Sequence, residues 1–438
     1  MKVVYKPSLF NRILKDGQSL VLYNSFGGTS SLLRVPTEKV KKINEWLANE
    51  REYDIDDPDF LSLCQSGYLV AANTDEKNLR RFRYMQHITD NRLHMVVHTT
   101  KACNFRCAYC YMDFEPEMMQ PQVQQGIVNY VRKTIQKYKS VRISWFGGEP
   151  LLGIDVIENI SQPVIDICRS QKKPYSAIIT TNGYNLTPAN IEKLMSSHVT
   201  HIAVTIDGNK ELHDSQRPLA DGSPTFERII ENLKYIRDHV KSRTLTVSIR
   251  TNITQKHIVL LDEYYRFFND AFGEDNRFSL FIRPVADYGG VRVKSMEKLF
   301  VHSLHTVYDR LSSLQDGIKF FPNFIDLEMG GYTCTARHMN KYTIGCNGTV
   351  SKCDESLQEP IGQLHPNGYM ELNEAAHANW IFGIPQKECD DCFFSGSCFM
   401  ELCPKARILN NCNQCPVNFD EIDSLILLAA NTYTTKVL

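Results

Sequence analysis

The sequence predicts an α/β fold: a partial (β/α)6 barrel, preceded by a small α+β domain and followed by a cysteine-rich domain. Three observations carry this prediction. Between Leu93 and Ile282, short apolar strand candidates alternate with amphipathic helix candidates, the sign of a parallel sheet with its helices outside. The first 90 residues lack that rhythm and run instead through short strands, helices and a returning strand. The fourteen cysteines gather in two places, three at 103–110 and nine at 334–415, leaving only Cys64 and Cys168 alone.

Residues 1–90 are expected to form a winged-helix-like unit. Ser19–Tyr23 and Ser30–Val35 read as strands around the turn-rich run 24–28. Thr37–Asn49 carries helical apolar spacing at Val40, Ile43, Trp46 and Leu47, with Thr37 as its cap. Pro58 opens a short helix through Leu63, Gly67–Val70 returns as a strand, and Asp75–His87 connects onward as a helix.

Residues 91–325 are the expected barrel. Strands are predicted at Leu93–His98, Val141–Phe146, Ser176–Thr181, His201–Ile206, Thr244–Arg250 and Phe278–Ile282. Helices are predicted at Gln122–Tyr138, Asp155–Arg169, Pro188–Ser196, Phe226–His239 and His257–Phe272. Right-handed crossovers curl such a sheet, and six units leave it open on one side to admit a large substrate. Chemistry is expected at the C-terminal strand ends, as in complete barrels. A helix around Val301–Leu314 leads into residues 326–438, where Cys, Gly and Asn are frequent and periodicity is weak until a helix at Phe419–Ala430.

Composition narrows the class. The chain has 438 residues, 42% hydrophobic and 23% charged, and a net charge of −1, so no basic field points to nucleic acid or anionic lipid. The N-terminus lacks a signal-peptide pattern, and no run approaches the roughly 18 apolar residues of a membrane span, which predicts a cytoplasmic protein. In such a chain, clustered cysteines point to metal rather than disulfides. Isolated Cys64 and Cys168, among apolar neighbours, read as small buried hydrophobes.

The first motif is the C-x3-C-x2-C triplet of Cys103, Cys107 and Cys110, just past the first strand. Three thiolates can hold three irons of a [4Fe–4S] cube and leave the fourth open to a ligand. Trp145-Phe146-Gly147-Gly148-Glu149-Pro150 ends the second strand. Its glycines let backbone approach a ligand closely, and its carboxylate can accept from an ammonium group; alone, the run reads as a turn. Asn182-Gly183 and Asp207-Gly208, at the third and fourth strand ends, also read as turns, and a core aromatic is the alternative reading of Tyr109. The fourth strand end, Thr205-Ile206-Asp207-Gly208, continues through His213-Asp214 to Arg217 and Gly222–Phe226. Later come Cys334, Cys346, Gly348-x4-Cys353, Cys389-x2-Cys392-x5-Cys398-x4-Cys403 and Cys412-x2-Cys415. Cys389 and Cys392 with Cys412 and Cys415 would satisfy one zinc ribbon, but nine cysteines exceed that need.

The triplet with Tyr109, followed by the intact Gly-Gly-Glu-Pro run, resembles the radical S-adenosylmethionine (SAM) superfamily. The stretch from Thr205 to Phe226 resembles the peptide and sulfatase maturases within it, and the later cysteines resemble their SPASM extension. Two departures are one extra residue between Cys398 and Cys403 and a doubled last cysteine. The resemblance implies a catalytic [4Fe–4S] cluster on Cys103, Cys107 and Cys110 that binds SAM. It implies SAM contacts from Tyr109, Gly147, Gly148, Glu149, Pro150, Asn182, Thr205 and Arg217. It also implies two auxiliary [4Fe–4S] clusters, one on Cys334, Cys346, Cys353 and Cys403, the other on Cys389, Cys392, Cys398 and Cys415 or Cys412.

The first 90 residues resemble the peptide-recognition domain fused to many peptide-modifying enzymes. Together these resemblances imply a maturase of a ribosomally made precursor peptide that abstracts hydrogen and forms a crosslink, a thioether first and a C–C or C–O bond next. An electron donor such as flavodoxin or ferredoxin is implied as a partner. The rivals are a formylglycine-generating sulfatase maturase and a non-catalytic, metal-binding peptide scaffold. Arg283, Asp287 and Tyr288, near the sixth strand end, are candidates for a proton acceptor.

Overall fold

The computed structural model describes residues 2–285, 291–294, 296–301, 303–313, 334–382, 389–398, 403–410, 415, 419–432 and 435–438. Asp287, Tyr288 and Cys412 lie outside the described residues. Two compact units divide the chain: Met1–Thr89 with Ser303–Cys334 and Phe382–Leu438, and Asp90–His302 with Thr335–Ile381. Of the predicted segments 1–90, 91–325 and 326–438, the first lies almost wholly in the first unit, and the cysteine-rich tail contributes to both units.

The first unit begins with β1 (Lys2–Pro7), β2 (Asn11–Asp16), β3 (Ser19–Asn24), β4 (Leu33–Val35), α1 (Val40–Trp46), β5 (Arg51–Asp54), α2 (Pro58–Gln65), β6 (Leu69–Ala71) and α3 (Glu76–Ile88). One antiparallel sheet runs β5-β1-β6; another is built on β2-β3-β4. Leu22, Val35, Ile43, Phe60, Leu63 and Tyr68 form a shared core. Three strands escaped the sequence reading, because β1, β2 and β5 are short, β2 and β5 are mostly polar, and β1 has no buried residue. The strand predicted from Ser30 starts only at Leu33, since residues 28–31 form a 3-10 turn whose Ser31 hydroxyl donates to the Asn24 carbonyl at 2.9 Å. Thr37 is not a cap. It lies inside a 3-10 turn that follows Pro36, and α1 begins at Val40. Asp57 and Asp75 do cap α2 and α3 through their carboxylates.

In the second unit all six predicted strands form: β7 (Arg92–His98), β8 (Ser140–Phe146), β9 (Tyr175–Thr181), β10 (Val199–Thr205), β11 (Thr246–Ile253) and β12 (Phe278–Pro284). They lie side by side in chain order and all run parallel. Helices α4 (Pro121–Thr134), α5 (Ile154–Ser170), α6 (Pro188–Ser196), α7 (Lys210–Gln216), α8 (Phe226–His239), α9 (Gln255–Ile258) and α10 (Leu261–Phe272) connect them. Ile143, Ile179, Ile202, Val204 and Ile249 are at most 1% exposed, as expected for strands covered on both faces.

The barrel stays open, and its first edge is covered. Residues Lys341–Ile344 add a strand parallel to β7 and continue antiparallel through Thr349–Ser351, Gly362–Leu364 and Met370–Leu372. An uncovered β7 would present a row of unpaired backbone groups. The Lys-Tyr-Thr-Ile segment hides from periodicity because both its polar side chains are buried. Lys341 is 0% exposed, donates to Thr343 Oγ1 at 2.8 Å and pairs with Asp354.

The rest of the tail joins the first unit. Helix Ile422–Thr432 is tied to β2 by Arg12 and Asp423 at 2.5 Å, and Lys436–Val437 pairs parallel with β4. Cys168 is buried on α5, while Cys64 is partly buried against the first unit's core. Burial pushes both thiols up to about 11. No helix among the described residues is long and apolar enough to cross a membrane.

Candidate active site

The strand ends of the barrel enclose one cavity of about 170 Å³. Cys103, Cys107, Cys110, Tyr109, Gly147, Gly148, Glu149, Asn182, Thr205 and Arg217 all line it. Of the predicted SAM contacts, only Pro150 stands back from the lining. It opens a 3-10 turn, and its carbonyl accepts from Thr99 Oγ1 at 3.2 Å. The triplet leaves β7 as irregular chain and is pinned from the fourth strand's side. Arg106 N donates to Pro218 O and Ala108 N to Gln216 O, both at 2.9 Å.

Gly147 and Gly148 serve this loop first. Gly148 N donates to Thr100 O at 2.9 Å, and Glu149 N to Ala102 O at 2.8 Å. A Cβ on Gly148 would sit 2.2 Å from Ala102 O and 2.5 Å from Lys101 O; one on Gly147, whose φ is +124°, would meet Thr100 O at 2.3 Å. The glycines therefore let the cysteine loop lie directly on the end of β8.

Glu149 is likewise committed within the protein. It is fully buried, and its carboxylate accepts from Leu151 N at 3.0 Å, Thr181 Oγ1 at 2.6 Å and Asn182 N at 2.7 Å. These bonds tie the ends of β8 and β9 together, and the carboxylate still lines the cavity. Asn182 is both turn and wall: its side chain donates to Asn104 Oδ1 at 2.8 Å and accepts from Tyr184 N at 3.0 Å.

Three polar partners hold the Tyr109 hydroxyl. That hydroxyl donates to Asp207 Oδ2, and it accepts from Arg217 Nη1 at 2.5 Å and Asn252 Nδ2 at 3.0 Å. Asp207, fully buried, also accepts from Asn252 N at 2.9 Å and lies 3.9 Å from Arg217. Its own N–H donates to His213 Nδ1 at 3.1 Å, so His213 presents Nε2–H to Thr225 Oγ1 at 3.1 Å. Burial, with the nearby Arg217 cation, holds His213 neutral by pushing it well below the usual histidine range. Sequence reasoning saw Asp207 only as a turn and missed Asn252. Asp207 had a visible signal in the Thr-Ile-Asp-Gly run; Asn252, at the end of β11, had none.

The donor set fits an iron–sulfur cube with an anionic ligand beside it. Burial pushes the Cys103 thiol up to about 11 and Cys107 up to about 12, with Glu149 adding to the first, and burial raises Cys110 as well. Loading metal there releases protons. Arg217 is 6% exposed, and its Nε has no partner among the described residues, an unmet donor suited to a carboxylate. No three His, Cys, Asp or Glu side chains converge on one ion among the described residues; a cube takes one thiolate per iron and needs no such convergence.

The sequence profile of the radical SAM superfamily matches residues 97–260, the span that holds the triplet and the first strand ends. The chain carries a radical SAM domain. Such a domain holds a [4Fe–4S] cluster and SAM, and the cavity-lining residues above would hold them here. The chain is similar to a cysteine-type anaerobic sulfatase-maturating enzyme of Clostridium novyi, 26% identical over 305 residues, covering 64% of this chain and 78% of that one. It is similar to an uncharacterized protein of Methanocaldococcus jannaschii, 26% identical over 189 residues, covering 42% of this chain and 61% of that one. In fold it is similar to anSMEcpe with bound AdoMet, at a TM-score of 0.56 and 17% identity, covering 78% of this chain and 100% of that one.

The later cysteines divide between the units. Cys346 and Cys353 stand with the radical SAM domain, where the Cys346 thiol donates to His98 O at 3.3 Å. Cys334, Cys389, Cys392, Cys398, Cys403 and Cys415 belong to the first unit.

Proposed function

We propose that this radical SAM enzyme modifies a ribosomally made precursor peptide by hydrogen abstraction and crosslink formation, a thioether first and a C–C or C–O bond next. The observation that carries the reading is the single cavity shared by three thiols, the Gly-Gly-Glu turn and Arg217, in a chain with nine further C-terminal cysteines. When bound, the cluster and SAM supply a 5′-deoxyadenosyl radical for hydrogen abstraction.

The chain's own residues bind and orient. The Arg217 guanidinium would hold the carboxylate of SAM, and Thr205 and Asn182 line the same cavity. Tyr109, Asp207 and Asn252 hold the third part of the cysteine loop against β10 and β11. Phe114, Phe146, Pro284 and Val285 line an apolar side that would keep water from the reacting carbon. Cys334, Cys346, Cys353 and Cys403 would hold one auxiliary cluster, and Cys389, Cys392, Cys398 and Cys415 or Cys412 the other, giving the electron left by bond formation a place to go. The leader of the precursor would add as a strand to an edge of the β5-β1-β6 sheet. A flavodoxin- or ferredoxin-type donor would supply the reducing electron.

The relative's name favours a second reading, a formylglycine-forming sulfatase maturase. Residues 1–89, folded as strands and helices with their own core, argue for the peptide maturase instead. Anaerobic reconstitution with SAM and reductant, supplied separately with a cysteine-containing precursor peptide and with a sulfatase-derived cysteine peptide, decides between them. A peptide that loses only hydrogen supports crosslinking; exchange of a cysteine sulfur for a carbonyl oxygen supports the sulfatase reading. The Cys103→Ala, Cys107→Ala, Cys110→Ala triple variant should lose about four irons and all 5′-deoxyadenosine. Wild-type protein that makes no 5′-deoxyadenosine with or without peptide refutes both.

A further inference from the structure

Helix α3 buries one arginine, and that arginine reaches the cysteine loop 389–398 within the same unit. Arg80 is 2% exposed. Its Nη1 donates to Ser395 Oγ at 2.5 Å and to the Cys389 carbonyl at 3.5 Å, and its Nη2 lies 3.4 Å from Asp390 Oδ1. The Asp390 side chain is 42% exposed, so among the described residues the carboxylate paired with this buried cation is half-solvated. A buried guanidinium with such a partner recovers little of its lost hydration.

The same loop is gripped from a second side. A Cβ on Gly396 would lie 2.5 Å from Ser25 Oγ and 2.9 Å from Phe26 N, so the loop lies directly on the chain just past β3. Ser397 Oγ donates to Ser25 O at 2.6 Å, Ser25 Oγ donates to Phe393 O, and the Tyr23 hydroxyl lies 3.3 Å from Ser397 Oγ. Residues of β3 and α3 thus hold a loop more than 300 positions away in sequence. Arg80 spans it from its first cysteine to the helical turn Ser395–Cys398 that ends on its third.

We propose that Arg80 is a positioning residue for the second auxiliary cluster, an inference that rests on Cys389, Cys392 and Cys398 being its ligands. The guanidinium fixes the spacing of those cysteines and gives their negatively charged cluster a buried counter-cation. Positive charge beside such a cluster favours its reduced form and raises its potential. The peptide-recognition domain thereby supplies part of an electron-transfer centre rather than only a docking sheet.

The test uses the full-length, anaerobically reconstituted protein as wild type, Arg80→Met and Arg80→Lys. Arg81→Met, on the exposed side of the same helix, is the control. Iron content, the auxiliary-cluster midpoint from a redox titration followed by electron paramagnetic resonance, and peptide-free 5′-deoxyadenosine formation are measured. In Arg80→Met the auxiliary midpoint should move to more negative potential, or iron should fall from about 12 to about 8 per chain. Peptide-free SAM cleavage should not change, because it uses the triplet alone. Arg80→Lys keeps the charge but not the fork, so its auxiliary signal should change shape with a smaller shift; it decides the matter if Arg80→Met does not fold. Wild-type iron content, midpoint and line shape in both variants overturn the inference. Wild-type protein with iron only at the triplet overturns instead the reading on which it rests.

Discussion

Replacing Gly148 by Ala should cripple the triplet site although no ligand-binding side chain is changed. The added Cβ would stand 2.2 Å from Ala102 O and 2.5 Å from Lys101 O, where such a carbon needs about 3.0 Å. Both obstacles are backbone atoms of the cysteine loop, so no side-chain rotation relieves them. The loop must retreat from β8 by about 0.8 Å, and that strains the bonds from Gly148 N to Thr100 O and from Glu149 N to Ala102 O. Overpacking of this kind costs about 1–3 kcal/mol. The larger effect is on rate, because Cys103 follows Ala102 directly and a misplacement near 1 Å costs on the order of 100-fold. The assay is initial 5′-deoxyadenosine formation at saturating SAM, with iron content measured on the same sample. A drop of roughly 30- to 300-fold with the fold retained by circular dichroism is expected, from the same misplacement estimate. Wild-type turnover with full iron in Gly148→Ala would refute the argument that this glycine exists to seat the cysteine loop.

Two further outcomes follow from the same geometry. Arg217→Lys keeps a positive charge but loses the guanidinium fork, so the KM for SAM should rise about tenfold, equivalent to about 1.4 kcal/mol, with a smaller change in kcat; an unchanged KM excludes Arg217 as a SAM contact. His94, bonded to Ser144 Oγ at 2.7 Å, is pushed down to about 3 by burial, with Lys341 and Arg142 lowering it further against Asp354. Its folded value lies below its unfolded value near 6.5, so its contribution to stability is complete above pH 6.5. That contribution is lost at about 1.4 kcal/mol per unit as pH falls toward 3. Urea midpoints at pH 7 and pH 5 should therefore differ more in wild type than in His94→Gln, and equal pH dependence in the two proteins contradicts the assignment.

The barrel was legible because its signals are local. The strands β7 to β12 are apolar runs, with amphipathic helices between them, and burial on both faces of a parallel sheet demands that composition. The triplet and the Gly-Gly-Glu-Pro run were legible for a similar reason, since their chemistry depends on neighbours within a few positions. Local signals failed where partners are distant. Lys341–Ile344 looks like no core strand until β7 is beside it and Asp354 answers its lysine. Asn252 carries no motif, yet it meets both Tyr109 and Asp207.

By itself, then, the sequence determined that six βα units form an open barrel, that three thiolates stand just past its first strand, and that cysteines recur near the chain's end. Only the tertiary structure decided what those residues do to one another. It made Glu149 a tie between β8 and β9 as well as part of the cavity wall, because three buried donors converge on its carboxylate. It turned Gly147 and Gly148 into the seat of the cysteine loop, because only a missing Cβ admits the backbone of residues 100–102. It divided the later cysteines between two units and placed one group on the N-terminal helix and strand. Hydrophobic period fixes which elements form; packing in three dimensions fixes which buried polar groups find partners, and no residue carries that information alone.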